Sequence, residues 1–292
     1  SAAAGVVAIY LTFLLGLRAY GRTVGLLAAL LLAVMPMAIQ AAHFATVDGL
    51  LATGAVWICL QALGIDGEAR SRDYILAGIA VGVTVAVKLN GALLASAIAI
   101  AHLQRGLATE DPIGQRLRGL VLNRHIWITA GCALAAYVIL TPAAVFRFSD
   151  YFLTEFYGNI FHDVWVNIAD LEGGREDLFQ RGSLYLQGAP AYLYHFTHVL
   201  PMGIGWLLEA TVVLGIFWAM YRHGRADLLL AGTVLVYSLV VGAFYDKPIR
   251  YFVVMGPLFA VLAARLLSDF GSLKGHAFRK AGLALTAIVC AH

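Results

Sequence analysis

Apolar residues along this chain gather into long runs separated by short polar connections. The runs cover residues 2–17, 24–42, 49–65, 74–87, 91–104, 126–144, 202–221, 226–244 and 251–267, and a last one opens at 281. Most approach the roughly 20 residues that an α-helix needs to cross a bilayer. A helix is the expected form because it satisfies its own backbone N–H and C=O groups, which hydrocarbon cannot do. The pattern predicts an all-α, polytopic transmembrane helical bundle of about ten apolar segments, forming a single transmembrane domain over residues 1–292. With 61% hydrophobic and 13% charged residues and a mean hydropathy of +0.81, the chain has too little polar surface for a water-soluble domain. Ser1 leads into an apolar run without an initiator Met or basic n-region, and His292 lies inside another, so both ends are expected to be cut.

Sorting the charges gives an expected topology. The runs on either side of Lys88 have 14 residues each, which at 1.5 Å per residue reach ~21 Å, short of a ~30 Å hydrocarbon core. If they are two short helices, then Arg18, Arg22, Arg70, Arg72, Arg105, Arg116, Arg118, Arg124, Arg222, Arg225, Lys274, Arg279 and Lys280 all fall on one side. By the positive-inside rule that side is cytoplasmic. One continuous helix over 74–104 would put the arginine-rich 105–125 loop opposite Arg70 and Arg72, so a half-depth hairpin around Lys88 is favoured. The 105–125 loop carries Asp111-Pro112, expected as N-cap and first helical residue. Ile113, Leu117, Leu120 and Val121 follow at helical spacing, as in a helix lying on the inner membrane surface with its arginines on anionic lipid. Residues 145–200 form the long extracytoplasmic loop, opening with Phe152, Phe156 and Ile160 on one face of an interfacial helix.

Three outer turns carry candidate chemistry. The first is His43-Phe44-Ala45-Thr46-Val47-Asp48, where an acid opens a span. Asp48 either caps the following helix or serves a site, because acids at membrane depth are costly. The second holds Lys88 and Asn90; the lysine either snorkels to the surface or lines a polar cavity. The third runs from Tyr245 to Tyr251 and places Lys247 and Arg250 beside Tyr251, as an interfacial anchor or as a phosphate contact. Cys59, Cys132 and Cys290 sit in apolar stretches, and the histidines show no metal-ligand spacing, so no metal or other cofactor is indicated. His102, His125, His223 and His276 are expected to be merely interfacial.

These strings resemble the GT-C glycosyltransferases of the protein O-mannosyltransferase and aminoarabinose-transferase type. The likeness runs through Leu14-Leu15-Gly16-Leu17-Arg18-Ala19-Tyr20-Gly21-Arg22, residues 25–30, His43 to Asp48, Tyr74-Ile75-Leu76-Ala77-Gly78 and Val87-Lys88-Leu89-Asn90-Gly91, returning at Lys247-Pro248-Ile249-Arg250-Tyr251 and Pro257. It implies a GT-C bundle that transfers a sugar, with inversion, from a polyprenyl-phosphate donor to a lipid or protein acceptor. The reaction would take place at the outer face of the cell inner (plasma) membrane. It further implies that the catalytic base lies in an outer loop upstream of Ser1, so no catalytic residue is expected in this segment. His43, Asp48, Lys88, Asn90, Lys247, Arg250 and Tyr251 remain as substrate-binding candidates. Membrane lipids, and no nucleic acid, are the expected partners. Two other functions stay open: a transporter or channel lined by Lys88 and Asp48, and a lipid-linked glycan ligase that would depend on Arg175 and Arg181 in the outer loop.

Overall fold

The computed structural model describes residues 2–44, 46–151, 192–243 and 248–271. Every apolar run within them is helical. Helix α1 (Ala2–Tyr20) turns at Gly21 into α2 (Arg22–Val34), continued by α3 (Pro36–His43); α4 (Asp48–Gly67) and α5 (Ser71–Val87) follow. A 3-10 stretch, Leu89–Ala95, leads into α6 (Ser96–Leu107), then the short α7 (Ile113–Val121) and α8 (Arg124–Leu140). After residue 205 come α9 (Trp206–Arg222), α10 (Arg225–Gly242) and α11 (Gly256–Gly271).

Among the described residues three helices, α1, α4 and α10, are each long and apolar enough to cross a membrane, rising to five if two bent pairs count as spans. Apolar runs outnumber these because bends divide two of them and α5, α6, α8 and α11 are shorter, at 17, 12, 17 and 16 residues. Met35 adopts the extended conformation that a following proline favours, and α2 and α3 meet at 62°. The run at 202–221 breaks at Gly205 (φ 78°), where His195–Ile204 turns through 115° into α9.

The hairpin around Lys88 is present. Arg105, near the end of α6, donates to the carbonyl of Gly67 at 2.9 Å, and Tyr74 near the start of α5 meets His102 near the end of α6, also at 2.9 Å. One continuous helix would hold residues 74 and 102 about 42 Å apart. The arms flank α4 and pack on it more than on each other.

α11 and α4 form the middle of the bundle; in α11 every residue from Gly256 to Ala264 is buried. Lipid tails are as apolar as leucine, so helices here associate through close packing of small residues rather than by escaping water. The α5–α8 contact is the clearest instance: a Cβ on Gly78 or Gly82 would sit 2.4 Å from the Thr129 carbonyl oxygen and 2.3 Å from that of Ala133. Gly16 and Gly25 allow the same approach of α1 and α2, with a Cβ on Gly16 only 2.7 Å from the Gly25 Cα.

Some expectations need correction. Pro112, not Asp111, is the N-cap of α7, so Asp111 stands one position outside the helix. His102 is buried rather than interfacial: its Nε2–H donates to the Leu120 carbonyl at 3.1 Å, and Nδ1 accepts from the Tyr74 hydroxyl. His125 stacks on Tyr74 with ring centres 5.0 Å apart. Cys59 is buried and Cys132 half-buried, both as free thiols. The expected interfacial helix at 152–160, the run from 281, Lys247, Arg175, Arg181 and Cys290 lie outside the described residues.

Candidate functional site

Asp48 is the first residue of α4, one position after the N-cap Val47. It accepts from Lys88 Nζ at 2.9 Å, with the carboxylate side chain 3% and the lysine side chain 28% exposed. Both simpler readings therefore give way: Asp48 is not a helix cap, and Lys88 turns into the protein rather than out to a surface. The backbone explains how the lysine gets there. Lys88 ends α5 in an extended conformation (φ −162°, ψ 133°), and the Gly91 amide closes back on its carbonyl at 2.8 Å. Gly91 has to be glycine, since a Cβ there would lie 2.8 Å from the Thr84 carbonyl oxygen.

Two further elements complete the cluster. Lys88 Nζ sits 5.1 Å from the centre of the Tyr251 ring, and the Arg250 guanidinium 5.9 Å from the same ring. A cation over an aromatic face is held by the ring quadrupole, about 0.5–2 kcal/mol according to exposure. Tyr237, fully buried in α10, donates its hydroxyl to the Tyr251 carbonyl at 3.1 Å and fixes that turn. Arg250 itself is exposed and pairs with no carboxylate among the described residues. Counted as charges among the described residues, Asp48 cancels Lys88 and Arg250 leaves one positive charge over.

Polar atoms close by are unfinished. Asn90 Oδ1 and Thr46 Oγ1 are buried without a hydrogen-bond partner, and leaving such an atom unpaired costs about 1–3 kcal/mol. His43 is exposed, stands edge-on to Phe44 at 5.4 Å, and lines an apolar cavity of about 510 Å³ together with Ile9, Leu32, Gly49 and Val253. The structure thus brings Asp48, Lys88, Arg250 and Tyr251 into one cluster, sets Asn90 in the adjoining turn, and puts His43 on the cavity wall. Lys247 lies outside the described residues.

Sequence reasoning missed three participants. Tyr237 sits in an unbroken apolar run that gives no hint of its role. Thr46 was inside the string already singled out. Glu209 was legible as an acid within an apolar run, yet it was passed over; it is buried, its Oε2 has no partner, and it borders a cavity of about 130 Å³ with His195, Ser238 and Phe252. Among the described residues no three His, Cys, Asp or Glu side chains gather in a way that could hold a metal ion.

Over its whole length the chain superposes on ArnT from Cupriavidus metallidurans. With the form bound to undecaprenyl phosphate the TM-score is 0.66 at 18% identity, covering 99% of this chain and 48% of that one. With the apo form it is 0.60 at 20% identity and the same coverage. The chain has the GT-C fold. AglB, the oligosaccharyltransferase of Archaeoglobus fulgidus, solved with an inhibitory peptide and a dolichol-phosphate, matches at TM-score 0.54 and 14% identity, over 99% of this chain and 43% of that one. Residues 1–142 match the family model of dolichyl-phosphate-mannose-protein mannosyltransferases, a stretch that holds His43, Asp48, Lys88 and Asn90 but neither Arg250 nor Tyr251. No curated protein matches by sequence. This GT-C chain spans about half the length of the solved structures it resembles.

Proposed function

We propose that this chain is the membrane-embedded part of an inverting glycosyltransferase that takes a sugar from a polyprenyl-phosphate donor at the outer face of the inner membrane. The observation that carries this reading is the buried Asp48–Lys88 pair, joined to Tyr251 and Arg250, beside an apolar cavity of about 510 Å³. A donor of this class has two chemically opposite ends, an isoprenoid tail and a phosphate. Cavity and cations offer a place for each.

In such a transfer an acceptor hydroxyl or amine attacks the anomeric carbon, and the bond to the phosphate oxygen breaks. Negative charge then grows on the departing phosphate, where a preorganised cationic donor stabilises it more than it does the ground state. Arg250 is assigned that role, because its planar fork can donate to two phosphate oxygens and no carboxylate among the described residues pairs with it. Lys247 is its proposed assistant. Lys88 is held by Asp48, so it supports the site chiefly by fixing the hairpin turn and the Tyr251 ring. Asp48, already bonded to a cation, is a positioning residue rather than the base; the base is assigned to a part of the longer protein upstream. Asn90 and Thr46 have free acceptor capacity for sugar or acceptor hydroxyls. The undecaprenyl phosphate of ArnT and the dolichol-phosphate of AglB support this donor class. The acceptor stays at the level of a lipid or a protein.

Single-turnover transfer by the full-length protein, at saturating donor, tests the assignment. Arg250→Ala is expected to lower the rate roughly 10²–10³-fold, the usual cost of losing one donor to developing charge. Arg250→Lys is expected to stay clearly impaired although its charge is kept. A near-wild-type rate for the lysine variant would reduce Arg250 to a headgroup anchor.

A further inference from the structure

The arginine-rich end of the bundle carries a surface that the transfer reaction does not use. α7 has nine residues, none of them buried. Ile113, Leu117 and Val121 point outward at 65%, 54% and 63% exposure, and Leu122 and Trp127 extend the patch at 61% and 63%. At 3.6 residues per turn, Arg116 and Arg118 fall on opposite flanks of that apolar stripe. Residues 105–125 hold four arginines against two acids, Glu110 and Asp111, both at the far N-terminal end of α7. Among the described residues, Arg72, Arg116, Arg118 and Arg124 make no ion pair with any carboxylate.

The helix is nevertheless held in a defined place. Leu120 turns inward over Gly106, where a Cβ would lie 2.3 Å from Leu120 Cδ2, and the Leu120 carbonyl accepts from His102. The Trp127 indole N–H donates to the Val121 carbonyl at 3.1 Å, closing the C-terminal end. Arg116 donates to the carbonyls of Asp111 and Leu107, so a helix fixed to the bundle through Leu120 and Arg116, with the adjoining apolar row exposed and Arg118 and Arg124 beside it, has the geometry of a monolayer-surface contact. Its stripe fits the acyl boundary, and its arginines reach the phosphates just above.

We infer that α7 is a docking surface for the anionic phospholipid of the leaflet at this end of the bundle, with Arg118 and Arg124 as its headgroup contacts. Charge complementarity decides the occupant: a zwitterionic surface would repay the apolar stripe but not Arg118 and Arg124, two exposed cations without carboxylates among the described residues. Near an anionic leaflet each arginine contributes roughly a fivefold gain in association, and salt weakens it.

Hydrogen–deuterium exchange of residues 106–123 in the full-length protein tests this. Nanodiscs of phosphatidylcholine would be compared with nanodiscs that also contain phosphatidylglycerol. The anionic lipid is expected to slow exchange at least tenfold across α7 and to leave α4 and α11 unchanged. Arg118→Gln/Arg124→Gln should remove the difference, with protection of α4 serving as the check that the fold survives. Equal exchange in both lipids would overturn the proposal, as would a double variant that still responds. Slowing by inorganic phosphate alone in phosphatidylcholine discs would also overturn it, because the ligand would then be a free anion.

Discussion

Three arginines converge on the C-terminal half of α4: Arg18 donates to the Leu60 carbonyl, Arg105 to that of Gly67 and Arg225 to that of Asp66. At the N-terminal end of the same helix a single lysine reaches a single carboxylate. The arginines of the first arrangement direct their donors to backbone: Arg105 and Arg225 meet carbonyls of the last turn, which a helix terminus leaves without partners and its dipole makes negative, and Arg18 meets the Leu60 carbonyl further in. At the second, Asn90 and Thr46 keep unpaired buried oxygens, and Arg250 meets no carboxylate among the described residues. Identical chemistry, basic groups at helix ends, serves cohesion at one end and, under the proposed function, leaves capacity for a substrate at the other.

The comparison breaks most visibly if the two ends do not face opposite compartments. Phe44→Cys, at a position 65% exposed, is expected to react fully with a membrane-impermeant maleimide in intact cells. Ser71→Cys is expected to react only after permeabilisation. The reverse pattern would exchange the roles of the two ends.

A smaller but sharper effect concerns the ion pair. Asp48→Ala leaves Lys88 charged and partnerless, at a cost of about 3 kcal/mol, the lower end for a buried pair because the lysine is partly exposed. Asp48→Leu/Lys88→Met should recover most of that stability in thermal unfolding of the detergent-solubilised protein, while sugar transfer stays impaired. Full recovery of transfer as well would make the pair purely structural.

The smallest effect belongs to the opposite end. Arg18→Met removes one hydrogen bond of 3.3 Å and should cost about 1 kcal/mol, with single-turnover transfer unchanged. A loss of transfer larger than the loss of stability would mean that the arginine-rich end is coupled to the site after all.

Much of this was legible in the sequence, for identifiable reasons. The hairpin at Lys88 followed from run length and from the distribution of arginines, both of which are local quantities. The clustering of Asp48, Lys88, Arg250 and Tyr251 was legible only as three turns on one side. Their contact depends on how far α5 extends before Lys88 leaves it and on where α11 starts, which no periodicity encodes. His102 was misread because its partners, Tyr74 and Leu120, are 28 and 18 residues away. The bends at Met35 and Gly205 were written in Pro36 and in a glycine, but an apolar run reads the same whether or not its axis turns.

That first bend also sets the route by which a long-chain molecule can arrive. Because α3 leaves the axis of α2 at 62°, the cavity beside it is not a closed tube. Its walls include Val6 and Ile39, which are 68% and 54% exposed, so it opens sideways into hydrocarbon. Under the proposed function, a polyprenyl substrate would slide in laterally through this portal, its head kept at constant depth and its tail never wetted. Capture would then be a search in two dimensions, governed by the mole fraction of substrate in the leaflet rather than by its molarity in water.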